Sequence, residues 1–171
     1  YIRDGLSLIN KLEPYGKTKQ LAEQALFCGL YVNELIGLLG KGLFDSSQVY
    51  IAYQNVITKL SSCQINEFEN HLRLFEFIFL KHLGYELDFK ADQNGLSIDQ
   101  EQYYELIPTL GFAIGRNQNN NFVFKGSELL NIDINKLSNK NSLKSLKIIN
   151  RIRIDYLLDG KELQSRNLFK K

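Results

Sequence analysis

The chain has 171 residues, of which 44% are hydrophobic and 23% charged, and its formal net charge is +2. That mix excludes a disordered or collagen-like polymer and suits one globular domain, able to bury roughly 70% of its unfolded surface without a disulfide or metal staple. No run approaches ~18 uninterrupted apolar residues, and the opening YIRDGLSLINK lacks a signal-peptide layout, so neither a membrane span nor secretion is expected.

Methionine is absent and the first residue is Tyr1. This reads as a chain whose natural start lies upstream. Residues 1–16 contain Asp4-Gly5 and Pro14-Tyr15-Gly16 and read as a remnant strand or an arm ending in a turn. Thr18 is a candidate cap for a helix running to about Gly40, with Leu21, Ala25, Val32, Leu35 and Leu39 on one stripe. Asp45-Ser46-Ser47 caps a second helix to about Leu60, with Val49, Tyr53, Val56, Ile57 and Leu60 on its apolar face. A third helix is expected from Ile65 to Leu83, stopping at Gly84. It is apolar nearly all round, as the centre of a bundle must be.

The pattern then changes. Residues 86–103 are polar, with a turn at Asp92-Gln93-Asn94-Gly95. Two β-like runs follow, Gly111–Ile114 and Phe122–Phe124, separated by the Asn-rich stretch 117–121 as a hairpin or a loose loop would be. Glu128 to Asn131 gives one helical turn, and a long last helix spans Asn139 to Leu158 before Asp159-Gly160. The fold class is therefore mainly α: a helical bundle with a small β-hairpin-containing subdomain at 85–137.

No catalytic constellation is present: no GxSxG, P-loop, GxGxxG, HExxH or Cys–His pairing. His71 and His82 share a helix face but stand about 16 Å apart, too far to ligate together. Cys28 and Cys63 sit in apolar helical contexts and read as buried free thiols, which fits a reducing, cytoplasmic setting. Neither an enzyme nor a metal protein is expected.

Charge is unevenly spread. Residues 138–171 hold nine Lys and Arg against three Asp and Glu, 9 − 3 = +6, so residues 1–137 carry 2 − 6 = −4. Along the last helix Lys140, Lys144, Lys147 and Arg151 fall within one stripe about 60° wide at 100° per residue. Leu146, Ile149, Ile152 and Leu157 lie opposite. Such a cationic ridge suits phosphate backbones, although a merely solvated face has the same pattern. Arg153 falls on the apolar side and must snorkel, pair with an acid or face a ligand.

The other anomaly is Arg73, inside the most apolar helix, with Phe77 and Leu80 at i+4 and i+7. A cation beside exposed aromatic and aliphatic surface suits a partner offering a carboxylate next to an aromatic ring. The competing reading is an internal salt bridge with Glu69 or Glu76.

Three runs carry a family resemblance: Gly29-Leu30-Tyr31-Val32-Asn33-Glu34-Leu35; Leu72-Arg73-Leu74-Phe75-Glu76 with His82-Leu83-Gly84-Tyr85; and Gly160-Lys161-Glu162-Leu163-Gln164-Ser165-Arg166-Asn167-Leu168-Phe169. In this order and at these separations they resemble the bacterial recombination mediator family RecO. The resemblance spans residues 20 to 171. It implies an OB-fold barrel followed by a helical domain, with this chain holding residues 17–171 of the second part and residues 1–10 as the barrel's last strand or its exit. The function it implies is non-enzymatic DNA repair and recombination. That means binding single- and double-stranded DNA, annealing strands, and loading RecA together with RecR. It also implies docking the acidic, Phe-ending tail of single-stranded DNA-binding protein (SSB). Arg73 matches the tail-contacting position. Arg151, Lys161 and Arg166 match recurring basic positions, and Ser165-Arg166 could equally tie the last turn to the body. Many relatives carry a four-cysteine zinc module after the Gly-Tyr turn; here Glu86–Asp92 has no cysteine, so a zinc-free monomer without cofactors is expected. The alternative function is a structural helical adaptor whose basic end has no DNA role.

Overall fold

The computed structural model describes residues 2–3, 6–7, 11, 13, 19–41, 46–115, 122–134, 136–137 and 139–169. Asp4-Gly5, Pro14-Tyr15-Gly16, Thr18, Asp45 and the stretch 117–121 lie outside them. Two short strands, β1 (Ile2–Arg3) and β2 (Leu6–Ser7), pair antiparallel. Helices α1 (Glu23–Leu39), α2 (Ser47–Leu60) and α3 (Phe68–His82) follow, α3 being entered through a 3-10 turn at Ile65–Glu67.

The helix ends have local causes. Ser46 caps α2 by accepting from the Val49 N–H, as its sequence position predicts. At the end of α3, Gly84 takes φ +89° and the Tyr85 N–H donates back to the Leu80 carbonyl. That left-handed closure is one that glycine allows without steric cost. Helix α1 starts later than the apolar stripe suggests, because Ala22 is extended and Glu23 has φ +49°. Leu21 folds back over the helix instead. A Cβ on Gly29 would stand 2.5 Å from its Cδ1.

The subdomain contains β3 (Tyr103–Ile107), β4 (Gly111–Ile114), β5 (Val123–Lys125) and α4 (Gly126–Leu130). The sheet order is β4-β3-β5, all antiparallel. The two β-like runs therefore do not form a hairpin with one another. They flank β3, which begins at the end of the polar stretch 86–103 and stops just before Pro108. Tyr104 and Leu106 point inward and Glu105 outward, the period-2 alternation of a strand with one buried face.

Helix α5 (Lys140–Leu158) closes the fold, capped by Asn139 and ended by Asp159 and Gly160 at positive φ. A 3-10 helix at Gln164–Phe169 follows. Among the described residues there are two cores. One gathers α1, α2, one face of α3 through Leu72, Phe75, Phe79 and Leu80, and the end of α5 through Ile154 and Leu158. The other gathers Phe89, Tyr104, Leu106, Phe112, Phe124 and Leu129 against Leu146 and Ile149, with Leu74 and Phe77 of α3 at its edge. Helices α3 and α5 thus serve both cores. Among the described residues, no helix is long and apolar enough to cross a membrane.

Candidate functional site

The three runs that carry the family resemblance meet in space. Arg73 is only 9% exposed, and its Nη2 lies 2.9 Å from Glu76 Oε1. Glu76 is fully buried. It also accepts from the Tyr31 hydroxyl at 2.6 Å and from Asn150 Nδ2 at 3.2 Å, and Asn150 donates as well to the Arg73 carbonyl. One carboxylate therefore ties α1, α3 and α5 together. Burial, with the Glu76 carboxylate second, pushes the Tyr31 phenol well above its usual range, so it stays a hydroxyl donor.

Beside this network lies a cavity of about 460 Å³. Cys28, Tyr31, Phe68 and Leu72 form an apolar floor, with Ile65 and Phe169 among its other lining residues. Four cations, Arg73, Lys147, Arg151 and Arg166, line it against one carboxylate, Glu69. Most are already partnered. Lys147 Nζ is 2.5 Å from Glu69, Arg151 is 3.7 Å from Asp155, and Arg166 donates to Asp155 at 2.5 Å while lying within reach of the Tyr31 hydroxyl. Arg73 is paired with Glu76 through Nη2, but among the described residues its buried Nε has no hydrogen-bond partner. Burial pushes the Cys28 thiol up to about 11, so it lines the floor as a neutral, weakly polar group.

The C-terminal 3-10 helix carries Arg166 and Phe169 into the cavity, and Glu34 holds it there. The Glu34 carboxylate accepts from the Gln164 N–H at 2.7 Å, the Ser165 N–H at 2.9 Å and Ser165 Oγ at 2.5 Å. Desolvation alone would raise its pKa. The hydrogen bonds from Ser165 and Gln164 outweigh that and hold it below the ordinary carboxylate value. Ser165 is thus the structural member of the Ser165-Arg166 pair.

The structure separates some residues that sequence spacing grouped. Arg73 pairs with Glu76, not Glu69. Phe77 packs on the second core, its ring 5.8 Å from that of Phe89, and Leu80 is fully buried in the first. Neither lines the cavity with Arg73. The surface expected beside Arg73 is covered by the protein's own cores, because α3 is enclosed on two sides. Lys140, Lys144, Lys147 and Arg151 do share one exposed side of α5. Lys147 and Arg151 face the cavity, while Lys140 and Lys144 line a second depression of about 400 Å³ beside it. Lys161 is exposed beyond the end of α5, apart from both.

Arg153 does not snorkel, and among the described residues it meets no acid. It is 1% exposed, with Nε donating to the Pro108 carbonyl at 3.2 Å and Nη2 to the Tyr85 carbonyl. Sequence reasoning missed Tyr31, Asn150, Phe68 and Phe169 at the site. The signals for Tyr31 and Asn150 were polar atoms on otherwise buried helix faces.

Comparison with known proteins agrees with this convergence. The family model described as "Recombination protein O C terminal" matches residues 24–157. The chain is 35% identical over 165 residues to the DNA repair protein RecO of Glaesserella parasuis, covering 96% of this chain and 68% of that protein. The chain belongs to the RecO family. Identity to the RecO of Coxiella burnetii (strain CbuG_Q212) is 32% over 167 residues, and to that of Pseudoalteromonas atlantica 33% over 169. These cover 97% and 98% of this chain and 71% and 69% of the two proteins. RecO membership places the chain in DNA repair.

Proposed function

We propose that this chain is the non-enzymatic docking module of a RecO protein, and that its cavity receives the acidic, Phe-ending tail of SSB. The observation that carries this is the cavity itself: an apolar floor large enough for an aromatic side chain, lined by four cations, with the buried Arg73 Nε lacking a partner. The aromatic end would leave water on Cys28, Phe68 and Leu72, while its carboxylate meets Arg73 and Arg166 in a low-dielectric setting where charge-assisted bonds are strong. The α5 cations Lys140, Lys144, Lys147 and Arg151 are suited to single- or double-stranded DNA phosphates, with Lys161 at the far end. Strand annealing and, with RecR, RecA loading belong to the same reading, as do a cytoplasmic setting and a zinc-free subdomain.

The test is calorimetric titration of the chain with the SSB tail peptide. A Kd of about 1–10 µM is expected, roughly −8 to −7 kcal/mol, and Arg73→Ala should weaken it at least tenfold. Wild-type chain that takes up no peptide would sink the docking reading. One observation favours the structural adaptor instead: Arg73 already has Glu76 as an internal partner. An adaptor would bind neither the tail nor DNA at any ionic strength.

A further inference from the structure

The α5 stripe is not an isolated ridge. It forms the wall of two successive depressions between α3 and α5, and these share two residues, Glu69 and Lys147. The first is the cavity at Arg73, bordered by Lys147 and Arg151. The second is bordered by Lys140, Lys144 and Lys147, together with Asn66, Asn70 and Leu137. From Lys140 to Arg151 the stripe is about 16 Å long, three helical turns. Among the described residues, Lys140 and Lys144 have no ion-pair partner, and Lys147 is held by Glu69 at the junction.

From this geometry we infer that an acidic peptide and single-stranded DNA occupy the α5 stripe one at a time. The inference rests on the docking reading above and adds regulation to it. A peptide seated at Arg73 places its carboxylates against Lys147 and Arg151 and takes over the partner position that Glu69 now holds. A nucleic acid running along Lys140 and Lys144 reaches the same two cations about one and two turns further on. Lys144 and Lys147 stand about one turn, some 5 Å, apart, well inside the screening length of about 8–10 Å near physiological salt. Phosphates and peptide carboxylates would therefore meet as unscreened like charges at Lys147. Docking of the peptide empties the stripe of DNA, and DNA keeps the peptide's acidic part off it.

The experiment uses the whole chain and a short fluorescent single-stranded oligonucleotide, with anisotropy read at fixed ionic strength. The competitors are an acidic peptide ending in phenylalanine and the same peptide with alanine in place of that residue. The Phe-ending peptide should raise the apparent Kd for DNA without a plateau, about elevenfold at ten times its own Kd. The alanine peptide, equal in charge, should have little effect. Lys147→Ala with Arg151→Ala should lower the salt slope of DNA binding by about 1.4, from roughly 0.7 per lost phosphate contact, and weaken peptide binding in parallel. If calorimetry shows the peptide bound while DNA affinity stays unchanged or plateaus early, exclusivity is wrong and docking stands. Equal competition by the two peptides would mean bulk charge alone and would likewise overturn it. Absence of DNA binding at low salt removes the inference but not docking. Absence of peptide binding removes both.

Discussion

Two arginines on neighbouring helices are almost wholly buried, and their surroundings are opposite. Arg73 stands at the wall of an open cavity, paired with a buried carboxylate and with Nε unpartnered. Arg153 lies at the seam between bundle and subdomain, held among the described residues by the carbonyls of Tyr85 and Pro108, with Nη1 likewise unpartnered. Desolvation with no acid to offset it pushes Arg153 down to about 10. Burial alone therefore does not single out the cation proposed to bind a partner. What separates the two is whether the charge is compensated internally and whether the residue lines a space that a ligand can enter.

The strongest way to break this comparison is to remove the carboxylate. Glu76→Ala would leave the Arg73 guanidinium buried without its counter-ion and would orphan the Tyr31 hydroxyl and one Asn150 donor bond. Breaking a buried pair from one side costs about 3–5 kcal/mol, a fall in Tm of roughly 6–20 °C for a chain of this size. Chemical denaturation showing a loss under about 1 kcal/mol would mean that Glu76 does not hold Arg73. Peptide affinity should collapse together with stability.

At the seam the effects should separate. Arg153→Leu removes an uncompensated buried charge but leaves two carbonyls without donors, each worth about 1–3 kcal/mol. Relief of the charge offsets part of this, so a net loss of about 1–3 kcal/mol is expected. Peptide affinity measured on the folded variant should stay within about twofold, under roughly 0.5 kcal/mol. A larger drop would show that the seam communicates with the cavity, and the two regions would no longer be independent.

The contrast was half legible in the sequence. Both arginines announce themselves as charges on apolar helix faces, and the stripe from Lys140 to Arg151 follows from helical period alone. The helix ends at Ser46, Gly84 and Gly160 follow from side-chain and glycine chemistry. The partners could not be read, because Tyr31 and Asn150 reach Glu76 across 45 and 74 residues, and Tyr85 and Pro108 reach Arg153 across 68 and 45. Phe77 and Leu80 were misplaced for the same reason. Spacing on α3 tells which residues share a side, but not that the second core covers Phe77 and the first covers Leu80. Strand β3 was missed although Tyr104, Glu105 and Leu106 alternate, because it begins at the end of the polar stretch 86–103, while its pairing with β5 spans the Asn-rich stretch and is not local.

The smallest expected effect tests the cavity's edge. The folded pKa of Glu34 is depressed, so in acid the unfolded chain binds more protons and stability rises with pH. Its contribution is therefore fully present above the ordinary value of 4.5 and is lost as pH falls through the lower folded value. The carboxylate is only half-buried, and solvent screening limits the effect of Glu34→Gln to about 1 kcal/mol at neutral pH. Urea midpoints of wild type and variant should differ at pH 7 and converge towards pH 3. A gap that persists in acid would assign the loss to shape and not charge. Because Glu34 anchors the segment that carries Arg166 and Phe169, the same variant should weaken peptide binding a few-fold at pH 7, where Arg153→Leu does not. An edge residue that costs less stability than a seam residue yet moves affinity more is the signature of a cavity whose wall, and not whose core, was built for a partner.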